Sequence, residues 1–212
     1  MVMPARVAAA SLALLAWAAL ALQLWLSLRL AAGNGQGPLH GLVMFLGYFT
    51  VLTNLLVALV ATRGARMADG GHDLAWRGCA ITSILVVGLG YHLLLRHVWD
   101  PQGWQKIADI ALHYAVPLAA LLWWLGVPPR THPAPAAPLR WLAWPVAYAV
   151  YALLRGPLVG SYPYYFIDVG TLGMPRVLAH LAGLLVVFVV AGYLVRLLAL
   201  ARLRTPAARH AP

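Results

Sequence analysis

GYFTVLTNLLVAL, residues 47–59, decides how this chain is read. It is apolar enough to lie in hydrocarbon. Yet Thr50, Thr53 and Asn54 recur at i, i+3 and i+4, on one face of a helix. Two hydroxyls and an amide on one membrane-helix stripe must meet another helix or belong to a site.

The rest of the chain supports a membrane setting. Of 212 residues, 63% are hydrophobic and 9% charged, where a soluble domain carries about 25% charge. Mean hydropathy is +0.80. There is no glutamate, and the five acidic residues are all aspartates. The net charge of +10 comes mainly from arginines at segment ends, a pattern of topology and anionic headgroup contact. Basic residues do not interleave with aromatics, which excludes nucleic acid as a partner. Cys79 is the single cysteine, so no intrachain disulfide forms, and no metal motif is present.

Six apolar runs follow one another, at about 7–31, 40–62, 75–97, 105–126, 140–159 and 175–200. Each is near the ~20 residues that cross hydrocarbon. The first is too long for the apolar part of a cleavable signal. The fold class is therefore an all-α integral membrane protein, one bundle of six transmembrane helices over 1–212. The segment 201–212 is read as a basic cytoplasmic tail touching anionic lipid. The loops are glycine- or proline-rich, except RGPLVGSYPYYFIDVGTLGMP (155–175), which is aromatic. With both termini cytoplasmic, ten arginines fall inside and five basic residues outside, as the positive-inside rule favours.

Under that topology the intramembrane polar groups gather in the outer half. Thr50 and His113 lie about 15 and 12 Å below the outer ends of their spans. His92 and His180 share that half, and Asp109 is one turn above His113. Arg155 marks the outer end of span five, and Asp168 and Tyr164 belong to the aromatic link. Asp168 is expected to face inward or to cap span six, and the link to fold over the bundle and partly close a pocket. Pro117 follows His113 by four residues, which predicts a kink that frees the His113 carbonyl. An intramembrane histidine is a functional candidate by default. Asn54 is either interhelical glue or part of a site, and Thr50 and Thr53 can also serve in packing alone. His40, His97 and Trp104 read as interface anchors.

The runs GYFTVLTNLLVAL, LHYAVPL (112–118) and YALLRGPLVGSYPYYFIDV (151–169) resemble those of the bacterial six-span Pr6Pr membrane proteins. These are similar at a distance to the eukaryotic androgen-induced membrane proteins, hydrolases of fatty-acid esters of hydroxy fatty acids. That resemblance implies a threonine nucleophile and a histidine base, with no cofactor. The threonine motif fits Thr50 through YFT and Thr53 through VLT. The histidine motif fits His113, with Pro117 one residue early and Tyr114 and Ala115 in place of small polar residues. A bacterial inner-membrane setting, membrane lipids as partners and a fatty-acyl ester as substrate are implied.

The chemistry is coherent. A threonine hydroxyl needs a base, which a neutral imidazole supplies. Asp109 either orients that ring, as in hydrolytic triads, or is a residue of the membrane surface. Asn54 or the Arg155 region is expected to donate to the oxyanion. Thr53, Asn54, His92, Asp109, Arg155, Tyr164, Asp168 and His180 complete the expected supporting set. Two other readings stand beside the hydrolase. One is a haem or redox protein held by histidines such as His92, His113 and His180. The other is a small transporter or receptor with a pocket toward the outer leaflet.

Overall fold

The computed structural model of the chain describes residues 2–68, 70–71 and 76–204, with side chains from residue 5 to residue 203. Residues 205–212 of the expected basic tail lie outside the described residues. All regular structure among those described is helical. The helices are α1 (Val2–Gly33), α2 (Pro38–Phe45), α3 (Phe49–Arg66), α4 (Arg77–Gly90), α5 (Gly103–Ile110), α6 (Val116–Gly126), α7 (Ala137–Trp141), α8 (Ala143–Val159), α9 (Val169–Leu172) and α10 (Met174–Arg204). A π-helical turn, Tyr91–Leu95, prolongs α4, and another, Ala111–Ala115, joins α5 to α6.

Among the described residues, five stretches are long and apolar enough to cross a membrane: Ala5–Gly33, Arg77–Leu95, Gly103–Gly126, Ala137–Val159 and Met174–Leu203. A sixth arises if α2 and α3 are one span. The sequence predicts a continuous helix there. Instead the two halves meet at 80°, and Thr50 is the second residue of α3 rather than a mid-helix position.

Alanines let α1 approach α3 closely. Ala9, Ala16, Ala58 and Ala61 are fully buried, and small side chains drive such packing where water supplies no hydrophobic force. The central helix is α4, which packs against α3, α6 and α10 and buries every residue from Arg77 to Ile84.

The break at Leu46–Tyr48 has a compensating partner. Backbone that leaves a helix inside hydrocarbon must find other bonds. From α8, Tyr148 donates to the Gly47 carbonyl at 2.9 Å and Tyr151 to the Leu46 carbonyl at 3.2 Å. Arg155 donates to the Val43 carbonyl at 3.1 Å and, on its other side, to the Ser161 carbonyl at 3.2 Å. With Trp144, which donates to the Thr53 hydroxyl at 3.1 Å, these residues recur at i, i+4, i+7 and i+11, one stripe of one helix. Gly47 belongs to the same device: a Cβ there would lie 2.9 Å from the Arg155 guanidinium carbon.

Arg155 is therefore no surface marker. It is buried, as is Arg77 at the other end of the bundle. Arg77 lies over the Trp123 ring at 4.3 Å and donates to the carbonyls of Trp123, Val127 and Gly71, closing the C-terminal end of α6. Each belonged to a different side of the positive-inside count, so the inside excess is unchanged without them.

Candidate functional site

The uncapped start of α3 and the π turn Ala111–Ala115 meet, and each brings one reactive side chain. Tyr48, extended at φ −89° and ψ 133°, gives α3 no side-chain cap. The amides of the first helical turn, Thr50 among them, thus have no intrahelical acceptor. In the π turn the Val116 amide reaches back to the Ala111 carbonyl. Pro117 thus goes with a widened, under-wound turn rather than a simple kink. The His113 carbonyl packs on Gly88, where a Cβ would lie only 3.0 Å from it.

The Thr50 Oγ1 lies 3.3 Å from His113 Nε2. On the far side of the ring, Nδ1 is 3.0 Å from the Asp109 backbone carbonyl and 3.1 Å from Asp109 Oδ1. A carbonyl only accepts, so Nδ1 carries the proton in the neutral ring and Nε2 presents its lone pair to Thr50. The carboxylate contributes by charge more than by a directed bond, since Oδ1 has no hydrogen bond of regular geometry among the described residues. Asp109 is buried, at 6% exposure, which excludes the alternative of a solvated residue at the membrane surface.

Tyr91, from the other π turn, fixes both groups. Its hydroxyl donates to Asp109 Oδ2 at 2.6 Å, and its ring stacks on His113 with centroids 3.9 Å apart. The sequence reading did not single out Tyr91. The signal was its position beside His92 at the end of a span rich in small residues.

The remaining expected residues divide into those at this cluster and those away from it. Asn54 donates through Nδ2 to the carbonyls of Thr50, at 2.8 Å, and Leu112, at 3.3 Å. It joins the two backbones that carry Thr50 and His113. Thr53 is fully buried against Trp144 and does not face the histidine. Tyr164 accepts from the Thr50 amide at 3.4 Å. Burial pushes its phenol above the usual tyrosine range. Arg155 holds the helix break. His92 lies outward, 3.2 Å from the Tyr114 hydroxyl and 3.3 Å from Arg96, and is exposed. His180 is exposed too, with Nδ1 2.8 Å from the Phe166 carbonyl. Asp168 neither faces the site nor caps α10: it caps α9, accepting from the Gly170 and Thr171 amides. The three histidines thus have separate partners. No group of three or more His, Cys, Asp or Glu suited to a metal ion occurs among the described residues.

A cavity of about 400 Å³ adjoins Thr50, within the roughly 300–1,000 Å³ of small-molecule sites. Its walls come from the start of α3, α4 with its π turn, α8, α10 and the aromatic link, and among the described residues Thr50, Tyr91, Tyr148 and Tyr164 are its only polar side chains. The link lies on the bundle: Ile167 is buried against Ala152 and Val177, and Tyr164 and Phe166 line the cavity. Val150 and Leu178, both about half exposed, form part of the wall, so the cavity reaches the outer face of the bundle. His113 is outside this lining, with Thr50 between ring and cavity.

No protein-family model, curated protein or solved structure matches the chain.

Proposed function

We propose that this multi-pass membrane protein is a lipid-ester hydrolase working inside the bilayer, with Thr50 as nucleophile and His113 as general base. The observation that carries the reading is the contact of the Thr50 hydroxyl with the lone-pair nitrogen of an imidazole whose other nitrogen is engaged by Asp109. A hydroxyl so placed gives up its proton as it attacks, and the imidazolium that forms is stabilised by the buried carboxylate. The cavity suits an acyl chain, because it offers apolar wall and almost no polar group apart from those beside Thr50. The same chemistry is what the resemblance to the androgen-induced membrane proteins implies.

The reading includes a six-span topology in which α2 and α3 form one broken span. Both termini are cytoplasmic and the cavity opens in the outer half of the bacterial inner membrane. Membrane lipids surround it, and a fatty-acyl ester enters from them.

The test is covalent. Protein purified in detergent is exposed to an alkyl fluorophosphonate, and the modified peptide is located by mass spectrometry. Modification at Thr50, absent in His113→Ala, is the expected result. Modification elsewhere, or none, rejects the mechanism.

A further inference from the structure

Acyl transfer needs a donor for the carbonyl oxygen as it becomes an oxyanion. The two groups expected from the sequence are already committed. Asn54 spends Nδ2 on two backbone carbonyls, and Arg155 lies at the helix break, outside the cavity lining. One side chain of the right chemistry remains beside Thr50. Tyr164 lines the cavity and its hydroxyl oxygen receives the Thr50 amide at 3.4 Å.

We infer that Tyr164 is a catalytic residue that donates its phenolic O–H to the substrate carbonyl oxygen, with the Thr50 amide as the second donor. This inference rests on the hydrolase reading and adds to it the residue that stabilises the transition state.

Three features support the assignment. The amide belongs to the first turn of an 18-residue helix and has no intrahelical acceptor. At 3.4 Å the bond from that amide to the phenol oxygen is long, so the amide can turn to a substrate oxygen placed beside it. The ring is held by neighbours on three elements: Tyr48 at 5.9 Å, Tyr148 at 6.4 Å and Phe166, stacked at 5.1 Å. A donor fixed before reaction costs no reorganisation when charge develops.

The step then balances. Thr50 Oγ1 bonds to the ester carbon and its proton passes to His113 Nε2. The carbonyl π pair moves onto oxygen, which accepts from Tyr164 O–H and the Thr50 amide. Collapse breaks the bond to the leaving alcohol, which takes the proton from Nε2. Water attacks the acyl-threonine, again giving its proton to Nε2, and Thr50 departs as the hydroxyl.

The experiment uses the full-length protein with p-nitrophenyl decanoate and its thiono analogue, in which sulfur replaces the carbonyl oxygen and accepts hydrogen bonds poorly. Tyr164→Phe is expected to lower kcat about 100- to 1,000-fold, the usual cost of one oxyanion donor. KM should change little, and the preference for the oxygen ester over the thiono ester should shrink. Tyr165→Phe, which alters an exposed ring on the same link, is expected to leave kcat and the preference unchanged. If Tyr164→Phe does not fold, 3-fluorotyrosine incorporated at position 164 changes the donor's acidity at nearly constant shape, and kcat and the oxygen preference should shift with it. Undiminished kcat with an unchanged preference overturns the role of Tyr164 while leaving Thr50 and His113 standing. No hydrolysis and no fluorophosphonate labelling by the unaltered protein overturns both.

Discussion

The Thr50 hydroxyl and the His113 Nε2 are 3.3 Å apart, although 63 positions separate the residues in the chain. The contact is between a helix start and a π turn, two places where backbone geometry departs from the regular helix. Such π turns are frequent at functional sites.

Thr50→Ala and His113→Ala are each expected to abolish fluorophosphonate labelling, and the double variant to be no worse than either single one, because the pair acts as a unit. Thr53→Ala should keep the labelling. It loses one hydrogen bond from Trp144, about 1 kcal/mol of stability, measurable by thermal unfolding in detergent. Labelling lost only in Thr53→Ala would move the nucleophile by one turn.

Tyr91→Phe keeps the ring over His113 and removes the donor to Asp109. A hydrogen bond to a charged group contributes about 1.5–3 kcal/mol. Hydrolysis should fall by about ten-fold or more while the protein stays folded. Unchanged kcat would show that Asp109 needs no second partner.

Gly47→Ala should destabilise, because the new methyl would press on a guanidinium already tied to Val43 and Ser161. Arg155→Met removes the clamp while keeping an unbranched, apolar chain. It is expected to cost about 2–3 kcal/mol by stranding carbonyls in a poorly solvated site. A melting temperature equal to that of the parent protein in both variants would contradict the role given to the break.

Above pH 10, stability should fall through Tyr164. Its folded pKa is raised by burial, so the unfolded phenol ionises first and the unfolded state binds fewer protons there. The folded state then loses up to about 1.4 kcal/mol per pH unit. Below pH 10 both states hold the proton and this residue contributes no slope. In Tyr164→Phe the alkaline decline of the unfolding midpoint should be shallower; an identical decline would contradict the burial effect.

Reporter fusions at Gly35 and Gly70 are expected to report outside and inside, following the arginine bias of the loops. The reverse at both sites would invert the bundle and place the cavity in the inner half.

The helical class, the approximate spans, the Thr50–Asn54 stripe and the Asp109–His113 pair were legible because they follow from hydropathy and from a 3.6-residue period, whereas the facing of Thr50 and His113 was expected from their depths under an assumed topology and from the resemblance. The broken span was not. LGY at 46–48 continues an apolar run, and nothing local marks the break. What permits it lies about a hundred positions away, in Tyr148, Tyr151 and Arg155. Hydropathy windows register such residues only as slightly less apolar. Thr50 and Thr53 were likewise inseparable by spacing. Tertiary partners distinguish them, His113 for one and Trp144 for the other.

The α8 stripe also carries a consequence for biogenesis. Gly47 and the Tyr148 that satisfies its carbonyl are 101 positions apart. A ribosome adding ~5–20 residues per second needs roughly 5–20 s to cover that interval. During that time the nascent α2–α3 segment has unpaired carbonyls and no α8 to receive them. The insertion machinery or interfacial water must shelter the bend until α8 arrives. The end of the bundle that holds Thr50 and the cavity is therefore assembled after most of the chain has been made.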